Sequence, residues 1–203
     1  MYVCKMKVKG DSIKPRIADK HTAILNAALE QISMYGFHGT SIKMIANSAQ
    51  VATGSIYNHF SNKEEVINAL YQTIGTEINE LVTHTHNPNQ PFEQDFLTIW
   101  KVILNHYLSD SRKSEFITQY AYSPYIITQT EKAPDILLAP ILDIYSQAKK
   151  NGIIKNLPNS ALLALTHSPI TSLVRMAKYG RLTITDLNIE QYAQACWDSI
   201  KIK

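Results

Sequence analysis

The chain has 203 residues, 45% hydrophobic and 18% charged, with a formal net charge of +3. That length is large for one compact core and small for two full domains, so a small module joined directly to a larger one is expected. Two cysteines, Cys4 and Cys196, lie near opposite ends, which argues against a disulfide framework and a CxxC metal or redox site. No run approaches the roughly 18 apolar residues of a membrane span, so the expected setting is the cytoplasm, with no membrane partner.

The charge excess is local. Residues 1–65 carry eight Lys or Arg against five acids, whereas the remainder balances. A nucleic-acid contact needs such an excess, because affinity for phosphates comes from charge neutralisation. Residues 1–17 read as a basic N-terminal extension, either a mobile arm or a short structural addition.

In chain order, helical periodicity dominates and no strand alternation is sustained, so the class is all-α with about nine helices. Residues 18–36 place Ile24, Leu25, Ala28, Leu29 and Ile32 at three- and four-residue spacing and stop at Gly36. Thr40 or Ser41 can cap a second, short helix with the apolar face Ile42, Ile45, Ala46 and Ala49. After a turn at Gln50 and Val51 comes TGSIYNH, and Ser61 with Glu64 has capping-box spacing for a fourth helix reaching about Val82. The Asn- and Pro-rich stretch at 83–91 is a loop, followed by helices over about 91–108, 112–122, 131–150, 158–179 and 185–202. Pro169 is expected to kink the fourth of these. The resulting division is an extension (1–17), a DNA-binding unit (18–64) and a ligand-binding and dimerisation unit (65–203).

The third helix raises a question, because Gly54 costs a helix interior roughly 1 kcal/mol relative to alanine. At about 100° per residue, Ile56, Phe60 and Ala52 share the inward face, His59 lies at its edge, and Gly54 and Asn58 point away with Ser55 and Tyr57 on the shoulders. Two short helices across a tight turn have the proportions of a helix-turn-helix, whose second helix enters the major groove. A missing side chain at Gly54 lets the backbone approach a phosphate or base edge. Ser55 and Tyr57 can donate to phosphates, and Asn58 carries the paired donor and acceptor that matches adenine.

The run GFHGTSIKMIANSAQVATGSIYNHFSNKEEV (36–66) resembles the DNA-binding signature of the TetR family of bacterial repressors. The matching positions are Gly39-Thr40-Ser41, Ile45-Ala46, Val51, Gly54-Ser55-Ile56-Tyr57, His59-Phe60 and Lys63-Glu64-Glu65. Two departures stand out. The family often has glycine where this chain has Gln50, so a positive φ and a modest stability loss are expected there. The usual capping serine is Ala52, leaving Thr53 to cap the helix or its start to fray.

On this reading the DNA-binding residues are Thr40, Ser41, Thr53, Gly54, Ser55, Tyr57, Asn58, His59 and Lys63. Thr40 and Ser41 sit where a helix start favours a phosphate, or serve as simple caps. Thr53 and Asn58 are base readers or solvated polar residues, His59 is structural or base-reading, and Lys63 meets a phosphate or is merely solvated.

Enzymatic alternatives are weak. His84 and His86 lack a third ligand at metal spacing, and Asp143, His167 and Ser168 lack a nucleophile elbow, so no catalytic residue, metal or cofactor is expected. A pocket is expected instead among Trp100, Tyr107, Phe116, Tyr120, Tyr122, Tyr125, Tyr145 and His167, which offer apolar walls with a few polar handles, although core packing accounts for any one of them equally well. The last two helices are apolar around much of their circumference, which assigns Leu162, Leu165, Leu173, Val174, Tyr192, Cys196 and Ile200 to a dimer interface. The resemblance implies pairing as a four-helix bundle. It also implies a homodimeric repressor on a palindromic double-stranded operator, released when an unidentified small amphipathic or aromatic effector spreads the heads. A same-fold protein answering to a protein partner, or a helical carrier or enzyme without DNA binding, is the alternative.

Overall fold

The computed structural model describes residues 17–121, 123, 125 and 138–202. Among them lie nine α-helices and no strand: α1 (Ile17–Gly39), α2 (Ile42–Ser48), α3 (Thr53–Tyr57), α4 (Lys63–Thr85), α5 (Phe92–Ser109), α6 (Ser111–Tyr120), α7 (Ala139–Lys150), α8 (Asn159–Lys178) and α9 (Asp186–Ile200). The expected basic extension before Ile17, Tyr122 and the expected first turns of the seventh helix lie outside the described residues.

The first three helices form where their apolar spacing puts them. Ile24, Leu25, Ala28, Leu29 and Ile32 are all buried, and α1 meets α2, α4 and α6. At Gly36 the backbone turns left-handed (φ 69°), which ends the regular stretch of α1 where expected, before a last helical turn to Gly39. Ile56 of α3 and Phe60 just beyond it enter this core, but Ala52 does not. It precedes the helix in an extended conformation, so the helical angle that placed it inward does not apply.

α4 leaves this head and runs into the larger unit. Its cap is Asn62 rather than Ser61: Asn62 Oδ1 accepts from Glu65 N at 2.8 Å, and the Glu65 carboxylate accepts from Ser61 N at 2.5 Å. The cap thus sits one residue later than the sequence spacing indicated, and Glu65 reaches back past it to the Ser61 amide instead of closing a reciprocal capping box on Asn62. Beyond α4, the loop at 86–90 is clasped by one buried carboxylate. Asp95 is 2% exposed, and it is hydrogen-bonded to His86 Nδ1 at 2.6 Å, Asn87 N at 2.8 Å and Gln90 Nε2 at 3.0 Å. His86 thus fastens a loop.

α5 is the central helix, touching α4, α6, α8 and α9. Phe96, Ile99, Trp100, Ile103, Leu104 and Tyr107 bury a stripe wide enough to serve neighbours on two sides. α7 begins at Ala139 with Pro140 in its first turn, where the missing N–H breaks no helical bond. Pro169 lies inside α8, which nevertheless continues from Asn159 to Lys178. The chain end is tied down by Lys155 N donating to Ile200 O at 2.8 Å and Ile202 N to Ile153 O at 3.2 Å.

Candidate nucleic-acid interface and effector cavity

The turn between α2 and α3 is built from backbone bonds. Val51 N donates to Ala46 O at 3.0 Å and Gln50 N to Asn47 O at 3.2 Å, with Gln50 at φ 55°. This is the left-handed helix ending that glycine usually occupies, and the positive φ expected of Gln50 is present. Ser48 Oγ donates to Glu30 Oε2 at 2.7 Å, fixing α2 on α1. Together these contacts set the direction in which α3 projects.

The outward side of α3 is open. Thr53, Gly54, Tyr57 and Asn58 are exposed, Tyr57 to 56%, and Ser55 is half-buried. A Cβ built on Gly54 meets no atom of the described residues within 4 Å and its φ is not positive, so neither their packing nor the backbone geometry demands glycine. α3 carries no side-chain cap; Thr53 does not supply the bond expected of it. Asn58 ends α3, and His59 sits at the edge against His21 and Phe60, with ring centroids 6.1 and 6.3 Å away.

Two expected phosphate ligands are committed elsewhere. Thr40 is 2% exposed and its hydroxyl donates to Gly36 O at 2.8 Å, so its side chain holds the end of α1. Lys63 Nζ donates to Phe37 O at 2.8 Å and Thr40 O at 3.1 Å, carbonyls left unpaired as α1 ends. Lys63 is half-buried and turned toward these carbonyls. Ser41 caps α2, accepting from Met44 N at 3.2 Å, while remaining exposed.

The aromatic residues expected to share one pocket divide between two places. Trp100, Tyr145 and His167 line a cavity of about 30 Å³ among α5, α7 and α8, walled mainly by Phe92, Phe96 and isoleucines. Trp100 Nε1 donates to Thr166 O at 2.8 Å, and Tyr145 OH to Thr166 Oγ1 at 3.0 Å. Burial pushes the Tyr145 hydroxyl well above the usual phenol range. The Tyr107 ring stands edge-on to His167 at 6.1 Å, and its buried hydroxyl has no partner. His167 is part-exposed as a residue, yet both ring nitrogens are buried without a partner. Burial lowers its pKa to about 4. Neither Ser168 nor Asp143 hydrogen-bonds to it, so no triad exists.

Phe116, Tyr120 and Tyr125 lie instead at the junction of α1, α4 and α6. Phe37 on α1 meets Phe116 at 5.6 Å and Tyr125 at 5.4 Å, and Tyr120 stacks on Tyr71 of α4 at 4.1 Å. Tyr120 OH donates to Asn68 Oδ1 at 2.9 Å. This is a joint between the head and the larger unit. Sequence missed it because Phe37, Asn68 and Tyr71 are distant in the chain from α6.

Of the expected interface residues, Leu162, Val174, Cys196 and Ile200 are buried within the subunit. α5 covers α8 and α9 from inside, so the sides carrying these four cannot face a partner. Burial also pushes the Cys196 thiol up to about 11. Leu165 is exposed and Leu173 and Tyr192 are half-buried, while Met176, Tyr179 and Leu187 are exposed apolar residues that sequence reasoning missed. Among the described residues no group of His, Cys, Asp and Glu stands arranged to hold a metal, and no helix is long and apolar enough to cross a membrane.

Two family models match the chain: bacterial regulatory proteins of the tetR family at residues 24–70, and the tetracyclin repressor-like C-terminal domain at residues 91–201, more than half its length. The chain belongs to the TetR family. Its fold is similar to that of a TetR family transcription regulator from Marinobacter aquaeolei VT8, with a TM-score of 0.84 and 21% identity over 91% of this chain and 96% of that one. A TetR family protein from Vibrio parahaemolyticus gives a TM-score of 0.74 at 29% identity, over 91% of this chain and 100% of that one. Among curated relatives, the transcriptional regulator YhgD of Bacillus subtilis (strain 168) is 30% identical over 77 residues, 38% of this chain and 40% of its own. UidR of Escherichia coli (strain K12) is 40% identical over 60 residues, 30% of this chain and 31% of its own. The chain thus spans less than half the length of these curated relatives.

Proposed function

We propose that this TetR family chain is a transcriptional repressor that binds a palindromic operator as a homodimer in the cytoplasm and is released by a small, largely apolar effector, with no catalytic activity. One observation carries the DNA-binding role: α3 presents Thr53, Gly54, Tyr57 and Asn58 outward although nothing among the described residues requires a glycine at 54. A surface that keeps a glycine without an internal reason is suited to close approach from outside. Residues 18–64 form the DNA-binding unit in this reading, and residues 65–203 the effector-binding and dimerisation unit.

The dimer face is the outer side of α8 and α9, where Leu165, Met176 and Leu187 are exposed. A two-fold contact there presents two α3 helices to half-sites of one operator. An effector between α5, α7 and α8 acts on the heads through α4 and the Phe37, Phe116, Tyr120 and Tyr71 joint. Release requires only that it bind the spread arrangement better than the DNA-competent one.

The test is an anisotropy titration of the protein with the duplex upstream of its own gene, beside a scrambled duplex, at two salt concentrations. Selective, salt-sensitive binding that collapses in a Tyr57→Ala/Asn58→Ala double variant, by a protein that sediments as a dimer, is the expected result. A monomer, or equal binding to both duplexes, overturns it.

A further inference from the structure

The cavity among α5, α7 and α8 has an unusual polar inventory. Among the described residues no charged side chain lines it. Its other polar side chains are already engaged: the Trp100 indole by Thr166 O, the Tyr145 hydroxyl by Thr166 Oγ1, and the Thr166 hydroxyl by Leu162 O at 2.7 Å. Only His167 remains, with both ring nitrogens buried and unpartnered. A buried polar group left without a hydrogen bond weakens the fold that contains it.

We infer that this cavity takes an uncharged, predominantly apolar ligand carrying a hydroxyl or carbonyl group, which hydrogen-bonds to the ring of His167. The inference rests on the effector reading above and gives the effector its chemical class. The neutral imidazole holds one donor and one acceptor, so a hydroxyl can serve either nitrogen and a carbonyl the protonated one. A carboxylate is disfavoured, because no cation of the described residues lines the cavity and an ion stripped of water needs a paired charge. Burial keeps His167 itself uncharged at neutral pH. A pure hydrocarbon fills the apolar walls but leaves the nitrogens as they are.

Size supplies the link to regulation. The cavity is about 30 Å³, and one water needs about 10–15 Å³ on this scale. Even one six-membered ring therefore requires the walls to separate, which moves α5 or α8 against its neighbours. Tyr107, on α5 and edge-on to His167, shifts with them. The structure thus has the narrow cavity, and the ligand selects a widened one.

The chain contains two tryptophans. Trp100 lines the cavity, and Trp197 packs on Phe92 and Phe96 of its wall at 5.7 and 5.5 Å, so intrinsic fluorescence reports occupancy without any DNA. Full-length protein is titrated with benzyl alcohol, toluene and benzoate, which share a ring and differ in the polar group. Benzyl alcohol is expected to bind saturably and on the order of tenfold more tightly than toluene, with benzoate weakest. His167→Phe is expected to abolish the preference for the alcohol over toluene, and His167→Gln, which keeps a donor and an acceptor, to retain most of it. Toluene binding as tightly as the alcohol, benzoate binding tightest, or no saturable change with any of the three overturns the inference. A parallel anisotropy assay separates the two readings. Alcohol binding that leaves operator affinity unchanged sinks the effector role and spares the site, whereas operator binding with no ligand response sinks the site and spares the DNA reading.

Discussion

Lys63 Nζ donates to Phe37 O at 2.8 Å across the junction between the end of α1 and the start of α4. With the second bond to Thr40 O, one ammonium ties together the two helices that bracket the DNA-binding head. Losing charge-assisted bonds to carbonyls costs roughly 1–3 kcal/mol. Lys63→Met is therefore expected to lower unfolding free energy in urea by that amount while leaving the slope of operator affinity against salt unchanged. A flatter slope with unaltered stability would return Lys63 to the role of phosphate ligand.

Gly54→Ala separates folding from recognition. The new methyl meets no atom within 4 Å, and alanine is better in a helix by about 1 kcal/mol. Stability is expected to hold or rise, and operator affinity to fall by an order of magnitude or more, because the methyl lies on the face proposed above to meet DNA. Thermal melting and anisotropy on the same preparation decide it. Undiminished affinity would mean that DNA stays away from this backbone.

At Gln50 the relation is reversed, since here the backbone is strained and no DNA contact is assigned. Its φ of 55° costs a non-glycine residue roughly 1 kcal/mol, partly offset by the smaller entropy lost on folding compared with glycine. Gln50→Gly is expected to raise the melting temperature slightly and to leave operator affinity unchanged. A lower melting temperature would assign the Gln50 side chain a contact of its own.

These three positions also mark how far sequence alone reaches. The inward and outward sides of α1 and α3 were readable because a single apolar stripe meets a single core: Ile24, Leu29 and Ile56 are all buried, and Tyr57 is exposed. Gln50 was readable through the resemblance, which marks a turn position where the family often has glycine, and the positive φ found there is local to that backbone. Lys63 was not, because the carbonyls it binds come from the end of another helix. Aromatic residues look alike whether they line a cavity, as Trp100 does, or join two units, as Phe116 does. The outer side of α8 was hidden for a related reason. Both sides are apolar, and only the position of α5 shows that Leu162 faces in while Leu165 faces out.

His167 makes a further prediction through pH. Its folded pKa of about 4 lies below its ordinary 6.5 because burial disfavours the charged ring. Below 6.5 the unfolded chain takes up a proton that the folded chain refuses, so stability falls as the pH drops from 6.5 toward about 4 and levels off below that. Where this dependence is steepest, a single such group contributes about 1.4 kcal/mol per pH unit. Glu77, held below its ordinary 4.5 mainly by the His106 ring, whose Nε2 lies 3.3 Å from its carboxylate, and by the Lys113 ammonium, adds stability above 4.5 that is lost as pH falls through its lowered folded value. The two windows barely overlap. Urea unfolding followed between about pH 7.5 and 5 should therefore show a slope that His167→Gln removes and that Glu77→Gln leaves in place. An unchanged slope in His167→Gln would mean that the ring takes a proton in the folded state, with water or a rearranged neighbour reaching its nitrogens.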